Sequence, residues 1–171
     1  MDLKPQHPVP ALEVACVGGQ TWDLHEQHPN QFTLIVFYRG LHCPICKGYL
    51  NDLQNRLEGF RAKGVEPIAI SSDTRERAEQ TAKDWGIESL PLGYGLSLET
   101  AREWGLYISA GIKPEEPSLF VEPGLFLVRP DTTLYAASIQ TMPFARPSFR
   151  ELAGALDFVI KQDYPPRGEA A

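Results

Sequence analysis

Residues 31–50 read QFTLIVFYRGLHCPICKGYL, and this stretch decides the fold. Its first part, Phe32 to Tyr38, is an apolar run rich in β-branched and aromatic residues, which is typical of a buried strand. After a short polar break, apolar residues recur every three or four positions from Leu50 to Phe60, which predicts an amphipathic helix over residues 44–63. The stretch therefore predicts a strand, a tight loop, and a helix whose first turn carries Cys43 and Cys46.

The chain downstream repeats this strand–helix order. Residues 65–71, VEPIAIS, predict a second buried strand, and a helix capped by Asp73 is expected to run to Trp85 and end at Gly86. Because parallel strands need such helical crossovers, the order predicts a sheet with a parallel centre.

Hairpins and one more helix flank this central unit. Gly18-Gly19 lies between two short extended segments and predicts an N-terminal β-hairpin. A strand is expected around residues 90–92, a helix capped by Ser97, a surface loop over residues 105–118, and a late hairpin over residues 125–139. Ser148 begins a capping box before a final amphipathic helix.

Size and charge exclude several classes of protein. The chain has 171 residues and a hydrophobic content of 43%, which suits one domain spanning residues 1–171. The net charge of −6 argues against binding to nucleic acid or to an anionic membrane, since both need a basic face. The sequence has no run of about 20 apolar residues, so no membrane span is predicted. Its first residues lack the apolar middle of a signal peptide, and a cytoplasmic location is therefore expected.

The two cysteines of the CPIC segment have the spacing of a reactive pair. Backbone N–H groups and the helix dipole should favour a thiolate at Cys43, because this residue stands where the helix begins, and Pro44 suits the first helical position. Cys46 lies one turn further on the same face, within reach of a disulfide. His42 is either a proton partner or a solvated neighbour, and Arg39 is either a source of positive charge or an ordinary loop residue.

The CxxC segment has three interpretations, which are a reversible dithiol, half of a zinc site, and a chance pair. A structural zinc normally needs four ligands in two clustered pairs. The other candidate ligands stand at no recognised spacing; they are His7, Cys16, His25 and His28. Cys16 is expected to be a small buried side chain rather than a third redox thiol.

The segments FYRGLHCPIC, IAISSDTRERAEQTAKDWG and GLFLVRPDTTLY together resemble the thioredoxin-like superfamily. The resemblance is closest to its peroxiredoxin-like branch, which includes alkyl hydroperoxide reductase and the thiol-specific antioxidant proteins, and it covers residues 8 to 162. It implies an α/β protein with a thioredoxin-like, peroxiredoxin-type fold, in which a central mixed β-sheet is flanked by helices and preceded by an N-terminal β-hairpin.

The sequence departs from the family pattern in informative ways. The family signature P-x-x-x-T-x-x-C here reads Arg39-x-x-x-Cys43-x-x-Cys46, so that Cys46 falls at the peroxidatic position. Compared instead with a thioredoxin, Cys43 would be the exposed attacking thiol and Cys46 the resolving one. Pro123 stands where peroxiredoxins place an arginine, and it is expected to be the cis-proline that thioredoxins place opposite their CxxC.

Two residues near the late hairpin and the final helix each have two interpretations. Glu122 is either a solvated residue at a strand end or a proton relay near the thiols. Arg146 lies in the proline-flanked segment TMPFARP, residues 141–147, which is either a rigid connector or the source of a substitute for the family arginine.

These observations predict a thiol-dependent antioxidant oxidoreductase. A Cys43/Cys46 dithiol–disulfide cycle would reduce peroxides or disulfides, with Arg39, His42 and Pro123 in supporting positions, and would need an external thiol reductant such as thioredoxin or glutathione. No bound cofactor or metal is implied, and dimers are common in this fold, so a homodimer is one expected assembly. The alternative is a non-enzymatic redox-sensing or partner-binding module.

Overall fold

The structure is a computed structural model that describes residues 3–170. In chain order its strands are β1 (Glu13–Cys16), β2 (Thr21–Asp23), β3 (Phe32–Phe37), β4 (Val65–Ile70), β5 (Leu92–Tyr94), β6 (Ile108–Ala110), β7 (Leu119–Val121), β8 (Gly124–Val128) and β9 (Leu134–Ile139). The helices are α1 (Pro44–Asn55), α2 (Leu57–Ala62), α3 (Arg75–Trp85), α4 (Leu98–Glu103) and α5 (Phe149–Gln162).

Seven strands form one mixed sheet in the order β2-β1-β5-β4-β3-β8-β9. Strands β3, β4 and β5 are parallel, and the remaining pairs of this sheet are antiparallel. β6 and β7 form a separate two-stranded sheet. The predicted fold class, with its mixed sheet and its N-terminal hairpin of β1 and β2, is confirmed.

All six residues of β3 are buried because both faces of the sheet are covered. Leu34 and Val36 pack into a cluster with side chains of α1, α2, α3 and α5. The alternate residues Ile35 and Phe37 face the opposite cluster, which α4 and the N-terminal arm complete. Strand β3 thus occupies the centre of the fold, and the loop that leaves it leads directly to the cysteines.

Helix termini follow the local signals in the sequence. The Ser97 and Ser148 side chains accept N–H groups of the first turns of α4 and α5, and Gly86 ends α3 with φ 64°. The cap of α3 differs by one residue from the prediction, since Thr74 takes this role. Asp73 is thereby free to bind the loop that precedes Cys43.

Three local predictions were wrong. The helix expected over residues 44–63 is broken at Arg56, whose φ and ψ are −100° and 2°. The apolar spacing continues unchanged through the break, because Leu57 and Phe60 of α2 are both buried. The sequence pattern therefore gave no sign of the break. The segment 105–118 is not only loop but includes β6, and the strand expected at residues 90–92 lies at residues 92–94.

Among residues 3–170, no helix has both the length and the apolar composition needed to cross a lipid bilayer.

Candidate active site

Cys43 is the N-cap of α1, as predicted. Its backbone is extended, with φ −105° and ψ 100°, and its Sγ accepts the backbone N–H of Cys46 at 3.2 Å. Pro44 occupies the first turn, where its missing N–H costs no hydrogen bond. Both cysteines are free thiols, and they are only 1% and 0% exposed, so the expectation of an exposed Cys43 is wrong.

The two thiols differ in acidity. The Cys46 S–H group donates a hydrogen bond to Cys43, and this donation, the Cys46 N–H and the charges of Arg146 and Arg39 together lower the pKa of Cys43 to about 6 against the opposing effect of burial. Burial raises the pKa of Cys46, and its hydrogen bond to Cys43 raises it further. The pair therefore keeps one proton at neutral pH, which lies on Cys46 while Cys43 is the thiolate.

Arg39 is held beside the thiols by a buried carboxylate. Its Nε lies 3.2 Å from Oε2 of Glu122, which is only 3% exposed, and its guanidinium lies 4.7 Å from the centre of the Phe120 ring. The other Glu122 oxygen accepts the Ser109 hydroxyl at 2.6 Å. The solvated interpretation of Glu122 is wrong, because β6, which the sequence did not reveal, supplies Ser109 and covers this carboxylate.

Asp73 fixes the loop between β3 and α1. Its two carboxylate oxygens accept the Leu41 N–H at 2.8 Å and the Arg77 Nε–H at 2.9 Å. The carboxylate fits because Gly40 has φ +130° and no side chain, and a Cβ there would stand 2.6 Å from an Asp73 oxygen. Sequence reasoning assigned Asp73 only to a helix cap and missed this role.

His42 is a half-buried packing residue. Its ring lies 4.5 Å from the Phe120 ring in an edge arrangement, and its Nδ1 is 3.4 Å from Arg77 Nη2. Burial lowers the pKa of His42, so the ring is neutral at pH 7. Within the described part of the chain, no hydrogen bond joins His42 to either sulfur, and its Nε2 is buried without a partner.

The expectation of a cis-proline at Pro123 is wrong, since residues 3–170 contain no cis peptide bond. The Glu122 N–H donates to the Tyr107 carbonyl at 2.8 Å, and the Pro123 carbonyl accepts the Gln140 N–H at 2.9 Å. The backbone on both sides of this peptide is thus tied into neighbouring chain segments.

Arg146 reaches the thiols from the segment 141–147. Its Nη2 donates to Cys46 Sγ at 2.8 Å, and its guanidinium stacks 4.7 Å from the centre of the Tyr49 ring. The Tyr49 hydroxyl in turn donates to the Pro147 carbonyl at 2.7 Å. Of the two interpretations of Arg146, the structure therefore favours the one that places it at the thiols.

A zinc site at the cysteine pair would need further ligands close by. Across residues 3–170, no three histidine, cysteine, aspartate or glutamate side chains lie close enough together to hold a metal ion. Cys16 is buried in β1, outside the site, and burial raises the pKa of its thiol.

Comparison with known proteins gives the family. A family model described as AhpC/TSA family matches residues 5–137. None of the curated proteins matches the sequence.

Solved structures share the fold at low sequence identity. AhpC from Enterococcus faecalis is 20% identical with a TM-score of 0.76, over 96% of this chain and 98% of that chain. The peroxidoxin BcpB from Mycobacterium tuberculosis is 16% identical with a TM-score of 0.74, over 93% of this chain and 99% of that chain. Reduced Prx3 from Vibrio vulnificus, solved in complex with H2O2, is 12% identical with a TM-score of 0.75, over 91% of this chain and 99% of that chain.

Because the matched residues make up most of the chain and the whole described fold is that of the peroxiredoxins, the chain belongs to the AhpC/TSA family of thiol-dependent oxidoreductases.

Proposed function

We propose that this protein reduces peroxides through a dithiol–disulfide cycle in which Cys43 attacks, Cys46 resolves, and an external thiol such as thioredoxin or glutathione restores the pair. The observation that carries the proposal is the hydrogen-bonded pair at the start of α1, in which Cys43 is the more acidic thiol. A thiolate is the nucleophilic form of cysteine, and a neighbouring thiol is what a sulfenic acid needs in order to become a disulfide.

In the first step, the Cys43 thiolate attacks one oxygen of the peroxide. An S–O bond forms, the O–O bond breaks, and the leaving oxygen takes the proton that Cys46 holds, which yields an alcohol or water. Cys43 is now a sulfenic acid and Cys46 a thiolate. In the second step, the Cys46 thiolate attacks Cys43 Sγ, an S–S bond forms, and hydroxide leaves with a proton from solvent as water.

Burial of the two sulfurs favours a small oxidant. Cys43 is 1% exposed and Cys46 is fully buried, so that a peroxide needs a much smaller opening than the disulfide of a folded protein does. The peroxide complex of the Vibrio vulnificus relative is consistent with this substrate class.

Disulfide exchange is the second candidate function. It is favoured by the pKa of about 6 at Cys43, because a thiolate at the first cysteine of a CxxC pair is the group that attacks disulfides. The two candidates share the Cys43–Cys46 disulfide as their product and differ in the oxidant.

Two assays run in parallel test the proposal. One measures peroxide consumption with a thioredoxin or glutathione regenerating system, and the other measures the reduction of insulin disulfides. We expect Cys43→Ser to abolish peroxide turnover and Cys46→Ser to accumulate a sulfenic acid on Cys43 that dimedone traps. Cys16→Ser is the matched control with full activity. Trapping of the sulfenic acid on Cys46 in Cys43→Ser would reverse the order of attack, and rates no faster than free cysteine in both assays would favour the non-enzymatic module.

A further inference from the structure

We propose that Arg39 and Arg77, together with His42, form a carboxylate-binding site beside Cys43, and that this site binds a carboxylate of the thiol that reduces the Cys43–Cys46 disulfide. This inference rests on the proposed cycle, because it concerns the half of that cycle in which the reductant acts. It adds the charge that the reductant must carry.

Each of the two arginines is anchored by a carboxylate that lies deeper in the protein. Arg39 Nε lies 3.2 Å from Oε2 of Glu122, and Arg77 Nε donates to Oδ1 of Asp73 at 2.9 Å. The side chains of these carboxylates are 3% and 1% exposed, whereas those of Arg39 and Arg77 are 19% and 29% exposed. An anion that approaches from solvent therefore meets the positive side of both ion pairs.

His42 joins the two arginines into one patch. The Arg39 guanidinium and the His42 ring lie 4.7 and 4.5 Å from the centre of the same Phe120 ring, and Arg77 Nη2 lies 3.4 Å from His42 Nδ1. Because a guanidinium can only donate, His42 Nδ1 is the acceptor, and the proton of the neutral ring lies on Nε2. This Nε2 is buried without a partner among the described residues, and a bound carboxylate would supply the missing acceptor.

The outer N–H groups of the arginines are available to a ligand. Within residues 3–170, Arg39 makes no hydrogen bond through Nη1 or Nη2, and Arg77 uses only Nη2 of the two, toward His42. A guanidinium binds a carboxylate through N–H groups of this kind, and one that is already held in place loses less entropy on binding.

The charge of this patch is least compensated when the disulfide is present. In the reduced protein Cys43 is a thiolate, whose pKa is lowered first by the Cys46 thiol and, to a smaller degree, by Arg39. In the disulfide both sulfurs are neutral, so this negative charge disappears. The patch should therefore bind a carboxylate more tightly in the oxidised protein, which is the form that the reductant must recognise.

Reduction of the disulfide consumes two thiol groups. One thiolate attacks a sulfur of the pair, so that a mixed disulfide forms, the Cys43–Cys46 bond breaks, and the other cysteine leaves as a thiolate. A second thiolate attacks the sulfur of the first, and the protein sulfur leaves. The reductant is oxidised to a disulfide, and of the two protons that its thiols lose, one stays on Cys46 and one goes to solvent.

Glu116 is a carboxylate of the chain itself that stands near this patch. Its Oε2 accepts the Ile112 N–H at 2.7 Å and the Lys113 N–H at 3.3 Å, which fixes it on the loop between β6 and β7. The Ile112 N–H and, to a smaller degree, the charge of Arg39 lower the pKa of Glu116. Its negative charge opposes the approach of another carboxylate, so Glu116→Gln should strengthen the binding of an anionic thiol.

Reduction of the oxidised protein by small thiols of different charge tests the proposal. The probes are 3-mercaptopropionate, 2-mercaptoethanol and cysteamine, which are anionic, neutral and cationic, and the rates are expressed per thiolate with a correction for thiol pKa. Disulfide loss is measured by mass spectrometry after acid quenching and alkylation. At low salt we expect the anionic thiol to react about tenfold faster than the cationic one, and at about 0.5 M NaCl by about twofold or less.

Two variants should lower this anionic preference by about threefold or more. They are Arg77→Gln, and Arg39→Gln combined with Glu122→Gln so that no carboxylate is left buried alone. Glu116→Gln should raise the preference. Thermal unfolding of every variant checks the fold, and if the double variant does not fold, Arg77→Gln and Glu116→Gln decide the question.

Lys161→Gln is the matched control for the loss of one positive charge. Lys161 is exposed in the last turn of α5, and its neighbours Val159 and Ile160 line a cavity with Phe32, the first residue of β3. Since the cysteines follow the opposite end of β3, this variant should leave the preference unchanged.

Binding without reaction gives a second measurement. S-methylglutathione carries carboxylates but no thiol, and calorimetry should show that it binds the oxidised protein about fivefold or more tightly than the reduced protein, and that Arg77→Gln weakens this binding. Glutathione and thioredoxin, compared as reductants of Arg77→Gln, identify the source of the carboxylate. Slower reduction by glutathione alone assigns a small thiol, and slower reduction by thioredoxin assigns an acidic residue of a protein partner.

Equal rates per thiolate for the three small thiols would overturn the assignment, and so would a charge preference that both arginine variants retain. Equal affinity of S-methylglutathione for the two redox forms would also count against it. These results would leave the proposed cycle intact as long as peroxide converts the cysteine pair to a disulfide. Failure of the wild-type protein to form this disulfide with peroxide would instead refute the proposed function itself.

Discussion

Removing the Cys46 S–H group should make Cys43 a weaker acid. The pKa of Cys43 lies at about 6 against an ordinary value of 9.0, and the hydrogen bond from the Cys46 thiol is its largest cause. The difference corresponds to about 4 kcal/mol in favour of the thiolate. A hydrogen bond to a charged group contributes about 1.5–3 kcal/mol of this, which predicts a rise of about 1–2 in the pKa of Cys43 in Cys46→Ala.

Cys46→Ser is the matched variant, because its hydroxyl keeps a donor at the same position. The backbone N–H of residue 46, which lies 3.2 Å from Cys43 Sγ, is present in both variants. The expected order of the Cys43 pKa is therefore wild type, then Cys46→Ser, then Cys46→Ala as the highest.

The assay is the rate of iodoacetamide alkylation as a function of pH, with the modified cysteine identified by mass spectrometry so that Cys16 does not contribute. Absorbance of the thiolate at about 240 nm gives an independent titration. Equal midpoints for the alanine and serine variants, or a wild-type midpoint near 9, would refute the inference that the neighbouring thiol sets the acidity of Cys43.

Replacing Gly40 by alanine places a Cβ 2.6 and 2.7 Å from the Asp73 oxygens at φ +130°, and should lower the free energy of unfolding in urea by roughly 2–4 kcal/mol. Gly48→Ala in α1, where no atom lies within 4 Å, should instead be neutral or stabilise by up to about 1 kcal/mol. Cys16→Ser should leave peroxide consumption unchanged, and a large loss would contradict the packing role of Cys16. Because the folded state lowers the pKa of Cys43 from 9.0 to about 6, the unfolded state binds more protons in this window. The stability of the reduced protein should therefore rise from pH 6 to pH 9 by more than that of Cys43→Ser, and equal slopes would count against the lowered pKa.

Local signals in the sequence were sufficient for most of the fold. The apolar run of β3, the serine caps of α4 and α5, and the glycine that ends α3 each act within a few residues, so a pattern read along the chain detects them. The same holds for Cys43, because a proline directly after a cysteine marks the start of a helix.

The groups that surround the thiols were harder to predict because they come from distant parts of the chain. Arg146 stands 100 residues from Cys46, and Asp73 stands 32 residues from Leu41. Neither contact leaves a periodic signal, and Asp73 also sits where a helix cap is expected. The proline-flanked segment around Arg146 was the one hint, and it did not distinguish a connector from a functional loop.

Strand β6 could not be predicted from the composition of its segment. Its three residues are half-buried or exposed, they do not alternate, and their pairing partner β7 lies about ten residues away. Missing this strand led directly to the wrong environment for Glu122. At Pro123, the comparison with thioredoxins suggested a cis bond, but the described residues contain no cis peptide bond.

The Cys43 sulfur both caps α1 and lies at the centre of the proposed chemistry, so oxidation should loosen the helix that presents it. A thiolate is an anion at the positive end of the helix and an acceptor for the Cys46 N–H. Once that sulfur is neutral and bonded to its neighbour, the first turn loses a cap of about 1 kcal/mol. Fraying there would give a bulky reductant an entrance that the resting enzyme withholds, which reconciles a buried nucleophile with turnover by a second protein.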